Sequence, residues 1–314
     1  MNARSGQDLW AITAYFNPAG YRSRRANFRR FRAHLRVPLV AVEAAGDGRF
    51  DLQSDDADIV VRLPCRHVLW QKERLLNVAL QAVPASCRSI AWLDCDVVFA
   101  GDWVRAALEA LERHVLVQPF RQLIDLRSGA DLDGPHEGFG PPRPSFGHLW
   151  DSGAAPAELF RASGGSVTGG YTLGHAWAAR RELLEQHGFY DAFVLGSGNK
   201  LMAAAACGRA EDSVASYGMN DRLSAHYRTW AEPFAARVAG RVGAADGTLL
   251  HLWHGDLADR NYSGRYAGFR RFHFDPFTDV AVDEHGCWRW TSNKAEMHEY
   301  VRRYFEARQE DGRS

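Results

Sequence analysis

The chain has 314 residues, 46% of them hydrophobic and 24% charged, which is enough apolar material for a large core and excludes a disordered chain. Lys plus Arg and Asp plus Glu both number 38, so the formal net charge is zero and there is no global basic field for nucleic acid or anionic lipid; any anion must be bound locally. Cys65, Cys87, Cys95, Cys207 and Cys287 lack CxxC spacing and read as reduced, and no apolar run is long enough to span a bilayer. Residues Met1 to Asp8 are polar and lack the order of a signal peptide, so the expectation is a cytoplasmic, bacterial protein, with peripheral membrane contact left open.

Taken in chain order, Leu9 to Phe16 reads as a core strand, including Tyr15, stopped by Asn17-Pro18-Ala19-Gly20. A basic amphipathic helix follows from Ser23 to Leu35, with Phe28 and Phe31 at core positions. Val37 to Val42 and Ile59 to Leu63 read as strands, and Trp70 to Val83 as a helix. Ser89 to Leu93 is a short buried-type strand, and Trp103 to His114 another helix. This alternation predicts βαβ units on a largely parallel sheet with ligands at the strands' carboxyl ends.

Residues 128 to 170 form a Gly-, Pro- and Ser-rich stretch too long for a plain connector, with Trp150 in it. Beyond it, Ala178 to His187 reads as a helix ended by Gly188, and Thr248 to Trp253 as a strand leading into His254-Gly255. Trp288-Arg289-Trp290 reads as a late strand and Ala295 to Arg308 as a closing helix. The whole chain, 1-314, is read as one domain, with an acceptor-side region 128-170 and a closing segment 295-308.

The sharpest chemical signal is Asp94-Cys95-Asp96, two carboxylates at a strand end within an apolar stretch. A hard cation, Mn²⁺ or Mg²⁺, takes carboxylate oxygens and neutralises charge on a diphosphate. A second signal is His251-Leu252-Trp253-His254-Gly255. Three residues apart in a strand, the two imidazoles face opposite ways, so both reach one ion only where the chain turns between them. Arg22, Arg24, Arg25, Lys72, Arg74, Arg260 and Arg265 offer local positive charge for diphosphate oxygens, only one or two of the seven arginines between 22 and 36 being assigned to the donor and most to a solvated helix face. Gly188 to Asp191 and Gly196 to Asn199 make a glycine loop able to accommodate a sugar ring.

Together these segments resemble the metal-dependent GT-A glycosyltransferases, and most closely the β-1,4-galactosyltransferase group with its bacterial relatives. The likeness rests on short islands between about residues 9 and 270. Trp70-Gln71-Lys72-Glu73-Arg74-Leu75-Leu76-Asn77-Val78 is similar to that group's Arg-Ala-Lys-Leu-Leu-Asn-Val helix, and Asp94-Cys95-Asp96, Gly170-Tyr171-Thr172-Leu173-Gly174, the Gly188 to Asn199 loop and His254 follow in order. The resemblance implies a GT-A fold and inverting transfer of a hexose or amino-hexose from a UDP-sugar to a glycan or other hydroxyl acceptor.

It also implies a metal set drawn from Asp94, Asp96, His251 and His254. Donor contacts would come from Tyr15, Asn17, Arg22, Arg25, Lys72, Asn77, Asp94, Gly174 and Arg260, with Tyr262 on a closing loop. Where inverting members carry an acidic base this chain has Asn199, and an amide takes no proton at neutral pH. Asp191 or another carboxylate does that work, the alignment is shifted, or the chain binds donor without efficient transfer. A non-catalytic sugar-nucleotide binder and a metal-dependent hydrolase or nucleotidyltransferase are the rival readings; nucleic-acid binding ranks last.

Overall fold

The eight residues of Leu9–Phe16 are almost all buried, as expected of a strand covered on both faces. In the computed structural model, which describes residues 8–132, 134, 138, 140–160, 170–261 and 264–312, this segment is β1. Then come α1 (Arg22–His34), β2 (Leu39–Ala45), β3 (Ile59–Pro64), α2 (Lys72–Ala82), β4 (Ser89–Leu93), β5 (Val97–Ala100), α3 (Trp103–Arg113), β6 (Leu116–Gln118) and β7 (Gln122–Asp125). β8 (Arg143–Pro144), α4 (Phe146–Asp151), α5 (Pro156–Leu159), β9 (Ala176–Arg180) and α6 (Arg181–His187) follow. Next are α7 (Gly198–Ala206), α8 (Ala210–Tyr217), α9 (Asp221–Val238), β10 (Val242–Ala244) and β11 (Thr248–His251). The chain ends in α10 (Gly264–Phe269), β12 (Val280–Val282), β13 (Trp288–Trp290) and α11 (Ala295–Glu306).

The main sheet has the order β10-β6-β9-β4-β1-β2-β3. β1 pairs in parallel with β2 and β4, β2 with β3, and β6 with β10, while β9 runs antiparallel between β4 and β6. Alternate residues of β1 enter opposite halves of the core: Ile12 and Phe16 join Leu75, Leu76 and Tyr227, whereas Leu9, Ala11 and Tyr15 join Phe28, Phe31 and Trp103. Helices therefore cover both faces. This mixed, mostly parallel sheet flanked by helices is the α/β layering expected from the sequence. Strand order reverses where the chain, having laid β2 and β3 to one side of β1, returns to place β4 on the other. In such sheets ligands bind outside the carboxyl ends of the strands at that reversal.

A second sheet, β5-β11-β7-β8, stands beside this crevice. It decides where the histidines go.

One expected element is different. Ala178 to Arg180 is strand rather than the start of a helix, because β9 occupies an interior position and Ala176 to Ala179 are wholly buried between β4 and β6. Alanine's helix preference is worth tenths of a kcal/mol per residue and loses to that burial. In the segment 128–170, Trp150 donates its indole N–H to Gly240 O at 2.9 Å and stacks on Phe146, which seats it against the body of the fold. All five cysteines are unpaired. Among the described residues no helix is long and apolar enough to cross a membrane.

Candidate metal and nucleotide site

Strand pairing brings four distant segments to one place. β4 ends at Leu93, so Asp94 emerges at the crevice; β9 begins opposite it, and the Asp94 N–H donates to His175 O at 2.7 Å. Two residues later Asp96 precedes β5, whose Val97 lies opposite His251 of β11, and the Leu252 N–H donates to Asp96 O at 2.8 Å. On the other side of β11, His251 is in register with Asp125 of β7.

Asp96, His175 and His251 each bring a ligand atom within 4.8 Å of the others. Ligands about 2.1 Å from an ion lie roughly 3 to 4.3 Å apart, so a small contraction closes this set around a divalent cation. Two of its atoms are poised for a partner. Asp96 Oδ1 and His175 Nδ1 are buried and have no hydrogen-bond partner among the described residues, a costly state for polar atoms. The residues fit an ion.

The ring of His251 is oriented from behind. Its Nδ1 lies 2.8 Å from Asp125 Oδ1, and Arg143 holds both oxygens of Asp125 at 2.9 and 3.0 Å. Burial works to raise the Asp125 carboxyl, but the His251 hydrogen bond and charge, with Arg143, hold it far below the ordinary carboxylate range. An ionised Asp125 draws the ring proton to Nδ1 and leaves His251 Nε2 with its lone pair, 2.8 Å from His254 Nε2. Asp96 behaves oppositely: burial raises its carboxyl, with Asp94 adding and His251 opposing. Burial, with His251 and Arg143, pushes the His175 imidazole well below its usual value. His175 also holds a left-handed backbone, φ 78°.

The strand expected to run to Trp253 stops at His251, and the turn beyond it brings the two rings together. His254 Nε2 is 2.8 Å from His251 Nε2 and 3.4 Å from Asp96 Oδ2. The Arg260 guanidinium contacts His254 Nδ1 and the His254 carbonyl. Since guanidinium only donates, Nδ1 accepts and the ring hydrogen sits on Nε2, making His254 a donor toward the cluster in this arrangement.

The other predicted residues fall into two groups. The ammonium of Lys72 pairs with Asp94 Oδ1, so Asp94 faces a cation of the chain's own. Tyr15 OH donates to Asp51 Oδ2 at 2.8 Å, Asn17 Nδ2 lies 3.3 Å from the same oxygen, and Arg25 is 3.8 Å from Asp51. Asn17 also closes the turn after β1, bonding both the carbonyl and the N–H of Tyr21. Gly174 adjoins Asn199: a Cβ there would sit 3.8 Å from the Asn199 amide nitrogen.

Asn77 and Asp191 differ from expectation. Asn77 bonds Phe189 N–H and O at 2.8 and 3.0 Å and Asp191 Oδ2 at 2.9 Å, while Arg74 pairs with Asp191 at 3.1 Å. At about 100° per residue, Arg74 and Asn77 lie on the side of α2 away from Lys72, so this group braces the 188–191 segment instead of lining the crevice. The Arg22 side chain is 94% exposed beside Asp311, and Arg260 is buried against Glu310 at 3.0 Å. Neither guanidinium opens onto the crevice as expected. Tyr262 lies outside the described residues.

Four participants were not singled out from the sequence. His175 stands one residue past the Gly170 to Gly174 island, and Asp125 and Asp51 occur in segments without a local motif. Glu73 packs on the glycine loop: a Cβ on Gly198 would come within 2.1 Å of its Oε1, and Trp70 Nε1 donates to its Oε2 at 2.8 Å. Burial raises the Glu73 carboxyl against the pull of Lys72.

No family model and no curated protein matches the chain. Among solved structures it is similar to S. aureus TarS, at 10% identity over 78% of this chain and 36% of that one, with a TM-score of 0.35. It is also similar to the mannosyltransferase PcManGT from Pyrobaculum calidifontis in complex with GDP-Man and Mn²⁺, at 12% identity over 84% and 61%, TM-score 0.36. A third is 4-diphosphocytidyl-2C-methyl-D-erythritolsynthase from Anaerococcus prevotii, at 13% identity over 79% and 90%, TM-score 0.34. The chain spans about a third of the length of the first (36%). None of the three is named for the β-1,4-galactosyltransferase group, and likeness at this level concerns general fold and decides no activity.

Proposed function

We propose that the chain is a metal-dependent glycosyltransferase that moves a hexose or amino-hexose from a nucleotide diphosphate sugar, a uridine one by resemblance, to a hydroxyl of a glycan or other acceptor, with inversion. The observation that carries this is the Asp96, His175 and His251 cluster, in which Asp96 Oδ1 and His175 Nδ1 are buried without a hydrogen-bond partner among the described residues, beside Asp94 at the crevice where strand order reverses. A divalent ion bound there supplies charge stabilisation for a departing diphosphate. Asp96 and His251 would hold it, and Asp125 keeps the His251 tautomer right for that task. Lys72, Tyr15, Asn17 and Arg25 would face the nucleotide, residues 128–170 the acceptor, and 295–308 would close a single domain 1-314.

Asn199 cannot take the acceptor's proton and Asp191 is committed to Arg74, so we assign that proton to Glu73, whose raised carboxyl packs on the glycine loop. The same two observations favour a second reading, a sugar-nucleotide binder without turnover. Calorimetric titration with UDP, with and without Mn²⁺, tests the first claim: binding should require the metal, and metal-independent or absent binding removes the proposed site. Turnover of a UDP-sugar panel with acceptors separates enzyme from binder, and Glu73→Gln should reduce kcat by about 10²-fold or more while UDP affinity holds.

A further inference from the structure

We infer that His175 is a ligand of the divalent ion, and that with Asp96 and His251 it forms a site that holds a transition-metal ion on protein donors alone, before a nucleotide arrives. This deepens the metal-site reading above. A site of two carboxylates relies on nucleotide oxygens to complete its shell. Here the chain itself supplies two imidazoles and a carboxylate within 4.8 Å of one another.

Two observations select His175 over His254, and a third selects the carboxylate beside it. The His175 ring buries Nδ1 without a hydrogen-bond partner among the described residues, whereas His254 receives Arg260 on Nδ1 and carries its hydrogen toward the cluster. His175 is also fixed in place: its carbonyl takes the Asp94 N–H at 2.7 Å, and the next residue enters the β4–β9 ladder. Third, Asp94 is paired with Lys72, so Asp96 is the carboxylate left to share an ion with it. Imidazole donors favour transition-metal ions such as Co²⁺ and Zn²⁺, and to a lesser degree the harder Mn²⁺, over Mg²⁺, which prefers oxygens and keeps its water. Of the two ions expected from the sequence, Mn²⁺ is therefore the better match.

The experiment titrates chelator-treated full-length protein with Co²⁺ in the absence of nucleotide, following visible absorbance and heat. One Co²⁺ per chain should bind, with Mg²⁺ at least ~100-fold weaker. His175→Asn, chosen because asparagine tolerates the left-handed backbone, should weaken Co²⁺ at least ~10-fold and more than His254→Asn does. If His175→Asn fails to fold, His175→Cys should bind Co²⁺ with a thiolate-to-metal charge-transfer band, placing residue 175 on the ion. Co²⁺ binding only in the presence of UDP, wild-type affinity in His175→Asn, or no such band in folded His175→Cys overturns the assignment. UDP affinity measured in parallel keeps the claims apart: Co²⁺ binding lost on His175→Asn without any UDP binding supports this site and sinks the glycosyltransferase reading.

Discussion

Two buried polar clusters meet at Arg260, and they are built on opposite terms. In one, Glu310 is 1% exposed and has its oxygens within 2.6 Å of Arg24, 3.0 Å of Arg260 and 2.5 Å of Arg308. In the other, Asp96 Oδ1 and His175 Nδ1 are buried without a hydrogen-bond partner among the described residues. Burial pushes both carboxyls upward, but the arginines drive Glu310 far below the ordinary range while Asp96 stays raised. Pairing, not depth, sets the difference. A buried charge with its partners in place is architecture, and one held ready without them marks where a ligand belongs.

That contrast can be broken most easily at Glu310. Glu310→Gln leaves three guanidinium groups around an uncharged side chain and should cost about 3–5 kcal/mol in urea unfolding; a loss under 1 kcal/mol would dissolve the distinction. The same residue sets an acid limb. Because its folded pKa is depressed, its stabilisation is complete above the unfolded value, roughly 4.3, and is lost as pH falls below it, so Glu310→Gln should flatten stability against pH in that window.

Asp191 has Arg74 and Asn77 as partners although burial still raises its carboxyl, and Asp191→Asn should cost about 1–3 kcal/mol while kcat stays within ~10-fold of wild type; a fall of ~10³ in kcat would return it to catalysis. Asp96→Asn should move stability by no more than about 1 kcal/mol in either direction yet abolish the metal dependence of UDP binding. Smallest of all, Arg22→Ala should change stability by less than about 0.5 kcal/mol and UDP affinity by less than ~3-fold, since its side chain is solvated.

The parts of this site legible in the sequence are those with a local signature. Asp94 and Asp96 stand out because carboxylates interrupt an apolar strand, and the requirement that the chain turn between His251 and His254 is met by the end of β11. His175 is hidden in the sequence for two reasons: Ala178 to His187 reads as a helix, so no strand is expected after His175, and only the antiparallel pairing with β4 shows that the residue ahead of Ala176 faces Asp94. Asp125 depends likewise on the β7–β11 register, and Glu73 on a glycine's missing side chain more than a hundred residues away. Asn77 bonds the 188–191 segment where a place at the crevice was expected, because a motif match fixes its helix but not which side of that helix meets the crevice.

The segment after α11 threads back to the start of the fold. Tyr21 OH bonds the carbonyls of Phe305 and Glu306, Asp311 accepts from the backbone N–H groups of Arg22 and Ser23, and Glu310 neutralises Arg24. During synthesis β1 and α1 leave the ribosome first, yet Arg24 and Arg260 gain the Glu310 carboxylate only once residue 310 has also emerged. A nascent chain stalled short of that point carries the strands of the crevice without the charge that settles Arg260, and with it His254, into place.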